Sequence, residues 1–185
     1  MTPTLQTPRL RLEPISEAHA PALQSHFATW DIIQHLSKMV PWPYPEDGFL
    51  TFLREDLEPR IARGHAYAWA LVPHDHGEAV GLLEYRCHPE AIDNRGFWIA
   101  VPWQGRGLMT EAVIAFQDWV FFELGAPRLF VLNAVINERS RRIKEKTGAR
   151  LLDTLSLAHH SGCTETQRWE LTAEAWAAHR GRTGS

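Results

Sequence analysis

The 185-residue sequence predicts a single α/β (α+β) domain over residues 1–185, with helices packed on a mixed, mostly antiparallel central sheet. Three observations predict this class. An alternating strand, a glycine-rich turn and an apolar helical pattern follow one another across 97–124. A second apolar strand leads into a capped helical pattern across 129–148. Period-two alternation predicts an opening strand at 5–14 and a closing strand at 163–171.

The first half of the chain alternates between strand and helix patterns. After the opening strand, a helix is predicted over 16–27, with Ser16 as its N-cap. Three prolines within 40–45 fix the backbone and remove donors, so this segment is predicted to be neither helix nor central strand. Helical spacing returns over 46–63. Three strands are then predicted, at 66–72, 79–87 and 94–101.

The second half of the chain contains a crossover. A helix over 109–124 joins the strand that ends at 101 to a strand over 129–135, and this connection suits a parallel pair. Asn137 is a good N-cap and Gly148 a good stop signal for the next helix, after which two strands complete the chain. The whole pattern predicts about seven strands and about four helices.

Composition and charge exclude several classes of function. A net charge of −3 offers no electrostatic attraction for nucleic acid or an anionic membrane, and no apolar run is long enough to span a bilayer. No export signal is visible and two cysteines are too few for a disulfide framework, so we expect a cytoplasmic protein. His74-Asp75-His76 has no third ligand nearby in sequence, so no metal is expected.

The turn at 104–109 is suited to binding an anion such as a pyrophosphate. A turn before a helix leaves backbone N–H groups free and aims them at one point, with the helix dipole behind them. Gly105 and Gly107 allow a ligand to approach the backbone, where a β-carbon would obstruct it. The spacing matches neither a Walker loop nor the Rossmann fingerprint. The larger side chain of Met109 must point away from the anion.

The string Trp-Gln-Gly-Arg-Gly-Leu-Met-Thr-Glu-Ala at 103–112 carries Gln104 and Gly107 in a Gln-x-x-Gly spacing. It resembles the acetyl-CoA pyrophosphate loop of the GNAT N-acetyltransferases, in the branch of the ribosomal-protein N-terminal acetyltransferases. The resemblance implies a GNAT fold in which two parallel strands splay into a V, with acetyl-CoA as co-substrate between them. It implies that the cofactor is bound by Ile99, Val101, Gln104, Gly105, Arg106, Gly107, Leu108, Met109, Asn137 and Ser140.

Asn137 and Ser140, followed by Glu-Lys-x-Gly at 145–148, resemble the second CoA-contacting motif of the same branch. In that motif the Asn side chain bonds the pantetheine arm and the Ser lies near the sulfur. The tyrosine that often protonates the leaving thiolate in this family corresponds to Lys144, which leaves Ser140 as the expected catalytic acid. The basic residues between 139 and 146 are expected to form a solvated helix face.

The acceptor side carries weaker signals. We expect Glu84, inside a predicted strand, to be the general base. Direct deprotonation by water and four further residues remain alternatives: Asp93, Glu165, His159 and His160. The resemblance places the segment between the first two helices at the acceptor cleft, where Trp42, Tyr44 and Glu46 would contact the amine.

These features predict an enzyme that transfers acetyl from acetyl-CoA to a primary amine by direct attack in a ternary complex. The amine is either a protein N-terminal α-amine or a small molecule. Two alternatives stay open: a non-catalytic CoA-binding domain that acts as a sensor or scaffold, and an acyltransferase that uses a longer donor such as succinyl-CoA. The expected partners are acetyl-CoA and the amine, without nucleic acid or membrane, for a monomer or homodimer.

Overall fold

The computed structural model describes residues 1–183, the last two by their backbone only, and its strands form two antiparallel sheets. The larger sheet has the order β1-β2-β3-β4-β5. Its strands are β1 Leu5–Gln6, β2 Leu10–Pro14, β3 Ala66–Pro73, β4 Gly81–Arg86 and β5 Arg95–Ile99. The smaller sheet has the order β6-β8-β7. Its strands are β6 Arg128–Ala134, β7 Arg150–Ser156 and β8 Glu165–Thr172.

The opening strand predicted over 5–14 is two short strands joined by a turn. The N–H of Thr7 donates to the carbonyl of Leu10 at 2.9 Å, and its hydroxyl accepts from the N–H of Leu10 at 2.9 Å. These bonds reverse the chain, so β1 pairs antiparallel with β2. Period-two alternation continues on both sides of the turn, and it therefore gave no sign of the reversal.

Among the described residues, hydrogen bonds join the segment at the start of β5 to β6 at Phe130 and Leu132. The N–H of Asn94 donates to the carbonyl of Phe130 at 2.6 Å, and the N–H of Phe130 donates to Asn94 Oδ1 at 2.7 Å. Further along, β5 pairs with β4 and β6 pairs with β8. Beyond these bonds the two strands belong to different sheets, as the predicted V-shaped splay requires.

The four predicted helices are present, three of them in modified form. Ser16 caps a 3₁₀ turn that leads into the first helix, and the stretch predicted over 46–63 is two short helices joined by a π-helical turn at Leu53–Leu57. A similar turn at Trp119–Glu123 ends the helix that follows the glycine loop. Two further helices, at Trp30–Ile33 and Ala173–Thr183, were not predicted, because the first is short and the second has a weak apolar pattern. The helices are α1 Ala20–Phe27, α2 Trp30–Ile33, α3 Gly48–Phe52, α4 Glu58–Ala62, α5 Leu108–Asp118, α6 Glu138–Lys146 and α7 Ala173–Thr183.

The five-stranded sheet buries side chains on both faces. Alternate residues of β3, such as Trp69 and Ala68, enter two separate buried clusters, one against α5 and one against α1 and α3. Met109 is 6% exposed and belongs to the α5 cluster, so its side chain packs into the core. Within residues 1–183, no helix is long and apolar enough to cross a membrane, and no group of three potential metal ligands occurs.

Candidate functional site

The loop between β5 and α5 has the backbone conformation of an anion site. Gly105 and Gly107 have φ angles of 75° and 78°, in the left-handed region that glycine adopts without steric cost. Gly107 is the N-cap of α5, so N–H groups of the first helical turn have no partner inside the helix. This helix end lines a pocket of about 390 Å³. An anion in the pocket would face both these N–H groups and the positive end of the helix dipole.

An ion pair that local sequence patterns do not reveal holds this loop in place. Arg9 Nε donates to Glu111 Oε2 at 2.7 Å, and Arg9 Nη1 donates to the carbonyl of Arg106 at 2.9 Å. The Thr7 hydroxyl donates to Glu111 Oε1 at 2.6 Å. Burial acts to raise the pKa of Glu111, but these hydrogen bonds outweigh it and hold that pKa below its usual value. The first hairpin therefore braces the loop and the first turn of α5.

Gln104 connects three walls of the pocket. Its Nε2 donates to the carbonyl of Ile99, at the end of β5, at 2.9 Å. Its Oε1 accepts a hydrogen bond from the guanidinium of Arg139 on α6. The side chain therefore bridges β5 and α6 across the pocket and fixes the loop relative to both elements.

Helix α6 forms the wall opposite β5. Asn137 is its N-cap, because Asn137 Oδ1 accepts from the N–H of Ser140 at 3.1 Å, and this confirms the predicted cap. Ser140 lines the pocket, and Lys144 Nζ donates to Ser140 Oγ at 2.8 Å. Lys144 is only 1% exposed, so the prediction that the basic residues form a solvated helix face is wrong at this position. The helix turns Lys144 toward β5, where its Nζ lies 5.6 Å from the centre of the Phe97 ring.

Three cations of α6 give the pocket a positive rim. Arg139, Arg142 and Lys146 all line it. Arg142 also donates to Glu138 Oε2 at 3.0 Å, on the exposed side of the helix. Because phosphate groups accept bidentate hydrogen bonds from guanidinium groups, this rim suits a ligand that carries more than one phosphate.

Eight of the ten residues predicted to bind the cofactor line this pocket. They are Ile99, Gln104, Gly105, Gly107, Leu108, Met109, Asn137 and Ser140. The structure does not bring the other two to the pocket wall. Val101 is 43% exposed in a 3₁₀ turn, and the guanidinium of Arg106 lies 4.9 Å from the centre of the Trp103 ring.

The segment around α2 supplies a wall that sequence reasoning missed. Asp31 and His35 line the pocket from this segment. Burial, reinforced by the charges of Arg139 and His159, lowers the pKa of His35, so its neutral imidazole is favoured. Four helical residues are too few to produce a periodic pattern, so this wall could not be predicted from local spacing.

A second pocket, of about 700 Å³, adjoins the first across β5. Phe97 and Trp98 of β5 line both pockets. The other walls are mainly apolar side chains from α1, α3 and the loops beside them, among them Phe27, Met39, Tyr44, Phe49 and Phe52. A molecule in each pocket would therefore meet at the strand that separates them.

Glu84 lies in the second pocket at 4% exposure and is held by two guanidinium groups. Arg60 donates to its Oε1, and Arg86 Nε donates to its Oε2 at 3.1 Å. Burial acts to lower the pKa of Arg86, but Glu84 and Asp93 outweigh it and raise that pKa. The network fixes the Glu84 carboxylate beside the pocket.

The four alternative bases line neither pocket; they are Asp93, Glu165, His159 and His160. His159 is hydrogen-bonded at both ring nitrogens, to the Thr166 hydroxyl at 2.8 Å and to the carbonyl of His35 at 3.1 Å. Asp93 Oδ1 accepts from the N–H of Leu132 at 3.1 Å, so this carboxylate helps to join the two sheets.

The three predicted acceptor residues separate into two groups. Tyr44 lines the second pocket, and burial raises its pKa to about 12, so its phenol stays protonated at neutral pH. Trp42 and Glu46 line neither pocket. Trp42 packs against Trp30 with ring centroids 5.3 Å apart, and Glu46 is exposed.

Comparison with known sequences matches residues 9–150 to the acetyltransferase (GNAT) domain. The curated protein named "Putative ribosomal N-acetyltransferase YdaF", from Bacillus subtilis (strain 168), is 38% identical over 53 residues. That alignment covers 29% of this chain and 29% of the relative, so the chain spans less than a third of the length of the curated relative it matches.

Solved structures share the fold over nearly the whole chain. RimL, a ribosomal L7/L12 alpha-N-protein acetyltransferase solved with coenzyme A, has a TM-score of 0.77 at 18% identity, with 94% of this chain and 99% of that chain covered. The ribosomal-protein-S5-alanine acetyltransferase from Vibrio fischeri has a TM-score of 0.79 at 15% identity, with 94% and 98% covered. An acetyltransferase from Agrobacterium tumefaciens str. C58 has a TM-score of 0.71 at 26% identity, with 92% and 95% covered. With the domain match, the splayed sheets and the glycine loop in agreement, the chain belongs to the GNAT acetyltransferase family.

Proposed function

We propose that the protein is an acetyl-CoA-dependent N-acetyltransferase that acts on a primary amine with both substrates bound at once. The observation that carries this proposal is the meeting of the two pockets at Phe97 and Trp98. The first pocket offers backbone N–H groups and cations to an anionic ligand. The second offers apolar walls and a buried carboxylate to an amine. A thioester in one pocket and an amine in the other would come together at β5.

The first pocket fits the pyrophosphate and the pantetheine arm of acetyl-CoA. The N–H groups at the start of α5 would hold the pyrophosphate, and the three cations of the positive rim would hold the remaining phosphate. β5 is the edge strand of its sheet, so backbone groups on its outer edge can pair with the amides of the arm. Asn137 would bind the arm from α6. Bound acetyl-CoA supplies the acetyl group as a thioester.

The reaction needs a donor for the carbonyl oxygen and a proton for the leaving thiolate. The N–H of Ala100 donates to the carbonyl of Val80, on the side of β5 that faces β4. Because backbone groups alternate along a strand, the N–H of Ile99 faces the gap, and we assign the oxyanion to it. Ser140 lines the same pocket, and we assign it to the thiolate.

We propose a protein N-terminal α-amine as the first acceptor class to test, with small-molecule amines second. RimL and the Vibrio enzyme are named as acetyltransferases of ribosomal proteins, and the name of RimL specifies an alpha-N-protein acetyltransferase. An α-amine has a pKa of about 8, so a useful fraction is neutral at pH 7 without a strong base.

The test is release of CoA thiol from acetyl-CoA in the presence of N-terminal peptides and small amines. We expect release with at least one primary amine, and a large loss of kcat in Ser140→Ala with little change in acetyl-CoA affinity. Binding of acetyl-CoA without release on any amine would instead support a sensor or scaffold. Faster release of CoA from succinyl-CoA than from acetyl-CoA would show that the enzyme uses the longer acyl donor.

Glu84 is our proposed general base, and its substitution tests that role separately. Glu84→Gln removes the charge while keeping the size of the side chain. If Glu84 takes the amine proton, kcat falls at neutral pH, and a higher pH, which deprotonates the amine, restores part of it. If Glu84 only orders Arg60 and Arg86, the protein loses stability and the shape of the pH profile stays the same.

A further inference from the structure

Lys144 is a buried amine in contact with the proposed acid. Its side chain is 1% exposed, and its Nζ donates to Ser140 Oγ at 2.8 Å. Nζ is the donor in this bond, so the oxygen of Ser140 is its acceptor. The hydroxyl hydrogen of Ser140 is then free to point elsewhere, and Ser140 lines the first pocket.

A second buried basic residue, Arg95, acts electrostatically on Lys144. The buried guanidinium of Arg95 lies on β5, and its Nη1 donates to Gln117 at 2.6 Å. Within the described residues, Arg95 Nε and Nη2 have no hydrogen-bond partner. Asp93 is the carboxylate that acts on both cations, and it is already bonded to Arg86 at 3.0 Å.

Stability of the fold does not account for this arrangement. Burying an ammonium group costs several kcal/mol, and replacing buried charges with apolar groups of similar volume is often neutral or stabilising. The position is close to the ring of Phe97, where an apolar side chain would pack without that cost. Burial, followed by the charge of Arg95, lowers the pKa of Lys144 well below its usual value, which brings an amine closer to the range of an effective proton donor.

We propose that Lys144 is a positioning residue that orients the Ser140 hydroxyl toward the first pocket and replaces the proton that Ser140 gives to the departing thiolate. The inference rests on the proposed acetyl transfer. As the new C–N bond forms and the C–S bond breaks, Ser140 passes its hydroxyl proton to the sulfur, and Lys144 passes a proton to Ser140. The amine loses its proton to the base or solvent, and Lys144 regains one from solvent, so no proton is gained or lost.

The principal test uses Lys144→Met, which has a similar length and no donor. We expect kcat to fall about tenfold to 100-fold while the KM for acetyl-CoA stays unchanged. A control variant, Arg141→Met, removes a cation from the same helix away from both pockets and should leave kcat unchanged. Equal kcat in Lys144→Met and the wild type would overturn the proposal.

A double-mutant cycle tests whether Lys144 acts through Ser140. If it does, Ser140→Ala combined with Lys144→Met has the same kcat as Ser140→Ala alone. Two independent losses that multiply would show that Lys144 acts by another route and would contradict the proposal.

A readout without turnover follows the thiol of bound CoA by the ultraviolet absorbance of its thiolate. In the wild type, the donor at Ser140 and the charge of Lys144 favour the thiolate, so the thiol pKa of bound CoA should be about one pH unit lower than in Lys144→Met. The wild-type value relative to free CoA gives the same test if the variant does not fold. Failure of the wild type to bind CoA would overturn the proposed function and this inference together, whereas normal binding with an unshifted thiol pKa would overturn the inference alone.

Discussion

At the scale of single residues, the anion loop depends on two backbone conformations that favour glycine. Gly105 and Gly107 both have positive φ angles, and an alanine at either would carry a left-handed strain of about 1–2 kcal/mol. No heavy atom lies within 4 Å of the β-carbon position of Gly105, so the protein itself does not need that space. The open space beside the backbone is what a close-approaching phosphate requires.

We therefore expect Gly105→Ala to weaken acetyl-CoA binding about tenfold or more, a loss of about 1.4 kcal/mol, measured by calorimetry. Gly125→Ala is the matched control, because Gly125 has a φ of 74° and equally open surroundings but lies beyond the π-helical turn that follows α5, outside both pockets. The two variants should lose similar stability, and only the first should lose affinity. Equal affinities would show that the loop does not contact the ligand.

The buried side chain of Lys144 makes the stability of the folded protein depend on pH. Its pKa in the folded protein lies well below 10.5, whereas the unfolded chain holds the proton up to about 10.4. Between these values the unfolded state binds more protons, so wild-type stability rises with pH. Denaturant titrations should show Lys144→Met more stable at low pH, with its advantage shrinking as the pH approaches 10.4. A difference that stays constant with pH would contradict the assigned burial cost.

At the scale of elements, α6 shows which features of a helix can be read from its sequence. Asn137 and Gly148 predicted its ends, and the structure begins the helix at Glu138 and ends it at Lys146. The burial of Lys144 was not predictable, because a run of charged residues usually faces solvent and nothing local places β5 beside it. Spacing of three and four residues then aligns Asn137, Ser140 and Lys144 along one side of the helix.

Asn137 should have two separable effects. Asn137→Ala removes the cap on Ser140 N–H and should lower the free energy of unfolding by about 0.5–2 kcal/mol, as well as raising the KM for acetyl-CoA. Asn137→Ser keeps a capping oxygen but loses the amide, so it should retain most of the stability and still show the raised KM. A normal KM for acetyl-CoA in Asn137→Ser would show that Asn137 only caps the helix.

In the proline-rich segment before α3, only the ring of Tyr44 is expected to affect binding of the acceptor. Tyr44 lines the second pocket, whereas Trp42 packs against Trp30 outside it. We expect Tyr44→Leu to change the acceptor KM at least about threefold, roughly 0.6 kcal/mol, with the acetyl-CoA KM unchanged, and Trp42→Leu to leave both unchanged. The measurement is steady-state kinetics on the acceptor found by screening. An effect of Trp42→Leu alone would place the acceptor elsewhere.

At the scale of the whole molecule, the site is made where two sheets separate. The order of strands and helices was largely predictable, because each is bounded by prolines, glycines or caps. The first pocket followed from its two contiguous motifs. The second pocket did not, because it gathers residues as far apart in sequence as Phe27 and Trp98. The brace between Arg9 and Glu111 escaped prediction for the same reason, since the partners are 102 residues apart.

The central claim is that acetyl-CoA binds in the gap between β5 and α6, on the N–H groups at the start of α5. Backbone hydrogen exchange, measured with and without acetyl-CoA, tests this location without knowledge of the acceptor. We expect slower exchange across 97–99 and 105–110 and at the start of α6, with little change in β1 and β7. Binding that leaves exchange at 97–99 and 105–110 unchanged, or no binding at all, would contradict the account.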